Sequence, residues 1–121
     1  MSLQSFLLVV ISVTLSAFGQ TAFKIGVERV PFAPDSSVLD KVLGFAASPH
    51  IIGGLLFYGV GTLFWLFALR TLDLSLAYPF VAISFIVVFL IGIFGLGEPF
   101  NATRLAGLLI ITLGLVVMAR A

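Results

Sequence analysis

The chain contains no cysteine, a single histidine and few charges, with charged side chains making up 9% of its 121 residues. The missing cysteine excludes a disulfide framework and any thiolate metal site. His50 stands alone at the edge of an apolar run. A metal centre needs three or four convergent ligands, so no metal is expected. There is no nucleotide-binding glycine loop, which removes ATP as a drive, and no nucleic-acid partner or cofactor is expected. Nothing pairs an acid with a base, or a nucleophile with the histidine, on one helix face, so the chain does not read as an enzyme.

Hydrophobic residues fill 61% of the chain, against a charged content of roughly 25% in an ordinary soluble domain. The charges are segregated, and four stretches have none: Ser2 to Phe23, Ile51 to Leu69, Leu74 to Gly97 and Leu105 to Ala119. About 20 apolar residues cross the ~30 Å hydrocarbon core. The pattern therefore predicts an all-α membrane protein, one domain over 1–121, with spans near 3–27, 49–70, 74–96 and 101–119. No basic side chain precedes the first apolar run, which is too long for a signal peptide, so it is expected to stay as a helix.

Ser12, Ser16, Gln20 and Lys24 lie four residues apart in the first span and make one polar stripe on a helix. Lys24 also stands at i,i+4 spacing to Glu28. Pro31 and Pro34 stop that helix. Over 36–47, Val38, Leu39, Val42, Leu43 and Ala46 recur opposite Ser37, Asp40 and Lys41, which predicts a short interfacial amphipathic helix. Ser48 and Pro49 form a helix start. In the second span Tyr58, Gly61, Thr62 and Trp65 share a face suited to lining a cavity, although Trp65 also fits an interfacial aromatic belt.

Only Thr71, Leu72 and Asp73 join the second and third spans, which must form an antiparallel hairpin. With Ser75 as N-cap, Pro79 removes one early hydrogen bond; with an earlier start it kinks the helix and frees a carbonyl. Glu98-Pro99 is expected to end the third span, with Asn101 capping the fourth. The Glu98 carboxylate is expected to cap that helix or to meet a basic side chain. Gly107 and Gly114 share a face of the fourth span and make a candidate dimer seam, with packing inside the subunit as the alternative.

Leu15-Ser16, Gly19-Gln20 and Lys24, then Trp65, Ala77-Tyr78-Pro79, Ser84-Phe85 and Glu98-Pro99, taken in order, resemble the four-helix subunits of the aminoarabinose-phosphoundecaprenol flippase. Gly97-Glu98 followed by Gly107 to Gly114 is similar to a motif of the wider drug/metabolite transporter superfamily, which includes EamA-like proteins. The resemblance implies a flippase at the bacterial inner membrane, in a dimer with itself or with a related four-helix subunit. Its substrate would be a polyprenyl-phosphate sugar of lipopolysaccharide modification. Ser16, Gln20, Lys24, Tyr58, Trp65, Tyr78 and Ser84 are then the candidate substrate contacts, with Lys24 holding the phosphate. Pro79, Glu98 and Arg70 are the candidate structural or gating residues.

The small multidrug resistance family resembles the chain in architecture, but its members carry an essential glutamate three residues before a glycine of the first span. Here that glycine is Gly19 and the residue three before it is Ser16. No carboxylate lies inside a predicted span, which disfavours a cation exporter. A non-transporting subunit of a glycosyltransferase system is a third reading, and it requires a dry Ser16, Gln20 and Lys24 face. Lys24, Arg29, Lys41 and Arg104 fall on one membrane face against Arg70 and Arg120 on the other. That bias leaves one fixed orientation or a dual, antiparallel one open.

Overall fold

Ser2 accepts the N–H of Ser5 at 3.1 Å and opens α1, Leu3–Arg29, in the computed structural model, which describes residues 2–121. The 27 residues of α1 reach ~40 Å at about 1.5 Å each, so its charged last turns extend past the hydrocarbon core. α2, Val38–Ala46, starts at a capping box in which Ser37 and Asp40 serve each other's backbone. Val38, Leu39, Val42 and Leu43 of α2 face outward, the apolar surface that an interfacial helix offers to lipid. α3, Pro49–Leu69, follows the Ser48 cap.

The third crossing is interrupted. α4, Leu74–Ala77, passes into a 3-10 turn over Tyr78–Val81 and then into α5, Ala82–Phe94. Asp73, not Ser75, occupies the cap position. Pro79 consequently sits inside the helical path with no N–H for the carbonyl four residues back, and the tighter turn absorbs the mismatch. α5 stops at Phe94, a little before the expected end, because the chain reverses at Gly97 rather than at Glu98-Pro99. Gly97 has φ +70°, a left-handed conformation natural to glycine. Asn101 accepts the N–H of Arg104 at 3.0 Å and caps α6, Ala102–Ala119.

The closest packing is between α1 and α3. Ser5, Ser12, Gly19 and Gly26 recur every seven residues on α1, as do Gly54, Gly61 and Ala68 on α3, and all are buried. The backbones approach so closely that a Cβ on Gly19 would stand 2.8 Å from the Gly54 carbonyl oxygen. Ser12 Oγ donates to the Gly61 carbonyl at 2.7 Å. Without a hydrophobic drive between helices in lipid, such small-residue contact and cross-helix hydrogen bonding hold the pair. Gly61 thus belongs to this seam and leaves the expected cavity face.

Ser5 and Thr71 hydroxyls share a hydrogen bond at 2.9 Å, and the Phe6 and Phe80 rings meet edge to face, so one end of the bundle gathers the start of α1 and the α3–α4 turn. Val9, Val13, Ala68, Phe80, Ala82 and Leu115 pack as a core toward that end. Leu115 is the one buried residue of α6, which leans chiefly on α5 and the 3-10 turn. The four crossings Leu3–Arg29, Pro49–Leu69, Leu74–Phe94 and Ala102–Ala119 are each long and apolar enough to span a bilayer. This is an all-α, multi-pass membrane protein.

Candidate functional site

Because α6 stands off from α1 and α3, a cavity of about 810 Å³ is left between these helices and α5. The α1 stripe supplies Ser12, Ser16 and Gln20 to its wall, one turn apart. The fourth member does not follow. Lys24 lies outside the lining, about half exposed, with Nζ 3.0 Å from Glu28 Oε1. A helix face turns by ~40° for each step of four residues, and by Lys24 the stripe has left the cavity for the charged end of α1.

From α3 come Tyr58, Thr62 and Trp65, the i, i+4, i+7 face that remains once Gly61 turns to α1. Tyr78 of the 3-10 turn adds a phenol, its ring edge to face with Trp65 at a centroid distance of 6.4 Å. Tyr58 stacks loosely on Phe23, centroids 6.5 Å apart. Ser84 completes the polar set from α5. Val88, Phe89, Ile93, Leu108 and Ile111 make the facing wall apolar.

The hydroxyls differ in what they can still do. Thr62 Oγ1 donates to the Tyr58 carbonyl at 2.9 Å, and Ser84 Oγ donates to the Val81 carbonyl at 2.5 Å. Together with Ser12, these hydroxyls have spent their protons on backbone carbonyls and offer a ligand only lone pairs. Ser16 and Gln20 carry no intramolecular side-chain bond among the described residues. They remain able to donate, as do the Tyr58, Tyr78 and Trp65 ring groups.

Two charged side chains line the cavity, Glu98 and Arg104. The sequence predicts Glu98 as a helix cap or ion-pair partner, but Asn101 caps α6, and no hydrogen bond or salt bridge engages the carboxylate among the described residues. The carboxylate instead folds back over Gly92, whose missing side chain makes the space. Arg104, which the sequence marks only as one of the charges of one membrane face, lines the cavity as well. Its spacing to Gly107 and Leu108 on one α6 face was the available signal. Arg70 and Pro79 lie outside the lining.

The proposed seam glycines separate as well. Gly107 borders the cavity and Gly114 does not, and a Cβ on either would meet nothing within 4 Å. Tight packing within the subunit is therefore not their role. Among the described residues no group of His, Asp or Glu is placed to hold a metal ion.

No family model matches the chain, and no solved structure matches it either. Known sequences do. A Pectobacterium atrosepticum protein named probable 4-amino-4-deoxy-L-arabinose-phosphoundecaprenol flippase subunit ArnE is 34% identical over 117 residues, which covers 94% of this chain and 96% of that one. Its namesake from Pseudomonas aeruginosa is 33% identical over 113 residues, covering 93% and 95%. An uncharacterised protein of Sinorhizobium fredii is 31% identical over 106 residues, covering 87% and 86%.

Proposed function

Since the chain belongs to the ArnE family of aminoarabinose-phosphoundecaprenol flippase subunits, we propose that it carries a polyprenyl-phosphate-linked sugar across the bacterial inner membrane. The carrying observation is the cavity of about 810 Å³, polar along α1, α3 and the 3-10 turn, and apolar along α5 and α6. A sugar head needs hydrogen-bonding groups in exchange for water, whereas its tail needs none and can remain in hydrocarbon. Ser16, Gln20, Tyr58, Trp65, Tyr78 and Ser84 supply those groups in this reading. The rings of Trp65 and Tyr78 offer faces to the sugar.

Four helices, one of them loosely held, enclose such a path incompletely, which supports pairing with a second copy or with a related four-helix subunit. The protein acts as a transporter rather than an enzyme in this reading. A multidrug-type cation exporter is less well supported, because the carboxylate at the cavity comes from the α5–α6 loop and not from inside a crossing.

Proteoliposomes containing a polyprenyl-phosphate aminosugar test the reading, through access of the head amine to a membrane-impermeant acylating reagent. The chain, alone or with its related subunit, should raise the accessible fraction beyond that of empty liposomes. Equal accessibility with and without protein would refute it.

A further inference from the structure

Two opposite charges that face one cavity without pairing call for an explanation. Glu98 and Arg104 both line it, both are exposed, and they form no salt bridge with each other or with other described residues. Among the described residues they are the only charged side chains in the lining, and Lys24 lies beyond it, near enough to Glu98 to feel its charge. The plainer account is two solvated loop ions at the membrane edge. The geometry around Glu98 argues against it. Its N–H donates to the Gly92 carbonyl at 2.8 Å, and its carboxylate lies over the same glycine, where even a methyl group would collide with it. Backbone and side chain are both folded back onto α5, although the residue belongs to the loop. Arg104 is placed independently: the Asn101 cap fixes the start of α6, and the first turn carries Arg104 to the cavity side with Gly107 and Leu108 one turn on.

We propose that Glu98 and Arg104 read a zwitterionic head, the Glu98 carboxylate taking an ammonium on the sugar and the Arg104 guanidinium taking the phosphate. The assignment rests on the flippase reading above and adds to it the feature that selects an amino sugar over a neutral one. A guanidinium meets phosphate oxygens with parallel N–H donors, and a carboxylate accepts from an ammonium with the strength of a charge-assisted bond. Lys24, bonded to Glu28 and near enough to Glu98 to feel its charge, lies outside the lining, and the assignment does not require it. Discrimination by charge is also steep, since acylating the amine removes the ammonium and leaves the carboxylate facing a neutral amide.

The test uses the purified full chain in lipid nanodiscs, titrated calorimetrically with two probes. One is a ten-carbon prenyl phosphate bearing 4-amino-4-deoxyarabinose, and the other is the same molecule N-acetylated. The unmodified protein should bind the amine about 10- to 100-fold more tightly, the range of one charge-assisted bond. Glu98→Gln should bind both probes alike, at the affinity the unmodified protein shows for the acetylated one. Arg104→Gln should weaken both roughly tenfold or more and preserve their ratio. Equal binding of the two probes by the unmodified protein would overturn the assignment without needing any variant to fold. A preference that survives Glu98→Gln, or binding unaffected by Arg104→Gln, would overturn it too, and all three results leave the flippase reading standing. Failure to bind either probe, with the related subunit present as well, removes both.

Discussion

At the scale of single residues, the α1 stripe separates into positions with different work. Ser12 is committed to the Gly61 carbonyl, Ser16 and Gln20 keep free donors toward the cavity, and Lys24 is bonded to Glu28 beyond it. Lys24→Met should accordingly leave translocation within about twofold, because an exposed ion pair at a helix end contributes little to structure or site. Gln20→Leu should lower translocation by roughly 2- to 10-fold, the equivalent of one hydrogen bond of about 0.5–1.5 kcal/mol. Initial flip rates in the same proteoliposomes measure both. A large loss in Lys24→Met with none in Gln20→Leu would place the phosphate back at the end of the stripe. The four-residue spacing was plain in the sequence. Which of its members reach the cavity depends on how α1 is rolled against α3, and that is set by small residues on another face.

At the scale of elements, the glycines divide by what surrounds them. A Cβ on Gly54 would meet the Gly19 carbonyl oxygen at 2.8 Å and the Phe23 ring at 2.7 Å, while one on Gly114 would meet nothing within 4 Å. Gly54→Val should therefore force α1 and α3 apart and cost about 1–3 kcal/mol or more, the usual penalty of overpacking. Gly114→Leu should leave the stability of the isolated subunit near that of the unmodified protein. Thermal unfolding in detergent distinguishes them, and equal melting temperatures would mean that the α1–α3 seam is not close-packed. The heptad of Ser5, Ser12, Gly19 and Gly26 was visible in the sequence all along. Serine and glycine carry no apolar signal, and the polar stripe through Ser12 points to a different use of the same helix, so the packing role of this heptad shows only in the structure.

At the scale of the whole molecule, α6 is the unfinished part. Only Leu115 is buried there, and Leu109, Ile110, Leu113 and Val117 are each more than 60% exposed. Lipid can cover such a face, and so can a second subunit. With Gly107 and Gly114 open and seven residues apart, the dimer reading expects replacement of both by leucine to abolish chemical crosslinking between subunits in membranes while each subunit remains folded. Unchanged crosslinking would put the seam on another helix. Charge acts at this scale too. A head with net charge −1 would gain ~2.3 kcal/mol per 100 mV on moving to a positive exterior, and a zwitterion gains none. A flippase for amino sugars should thus flip at the same rate with and without an imposed potential, readable by adding valinomycin to potassium-loaded proteoliposomes.

Hydropathy and helix ends are local quantities, and the sequence by itself determined the features that depend on them. Four apolar crossings, the Ser48-Pro49 and Asn101 starts and the amphipathic run after Ser37 follow from runs and caps a few residues long. Spacing puts Ser16 with Gln20, and Tyr58 with Trp65, on shared helix faces, whereas the meeting of those faces with Tyr78 and Ser84 around one cavity is decided by packing. Which face of α1 meets α3, and whether a loop acid is turned into the bundle or away from it, are relations between segments distant in the chain. Tertiary structure alone decided those. The Gly19–Gly54 contact sets how α1 is rolled. Gly97, in its left-handed turn, reverses the chain so that Glu98 lies back over Gly92 and joins Arg104 at one cavity. A side chain in a loop has no helical period to read. Its direction comes from the turn that precedes it and from the space a neighbouring helix leaves free.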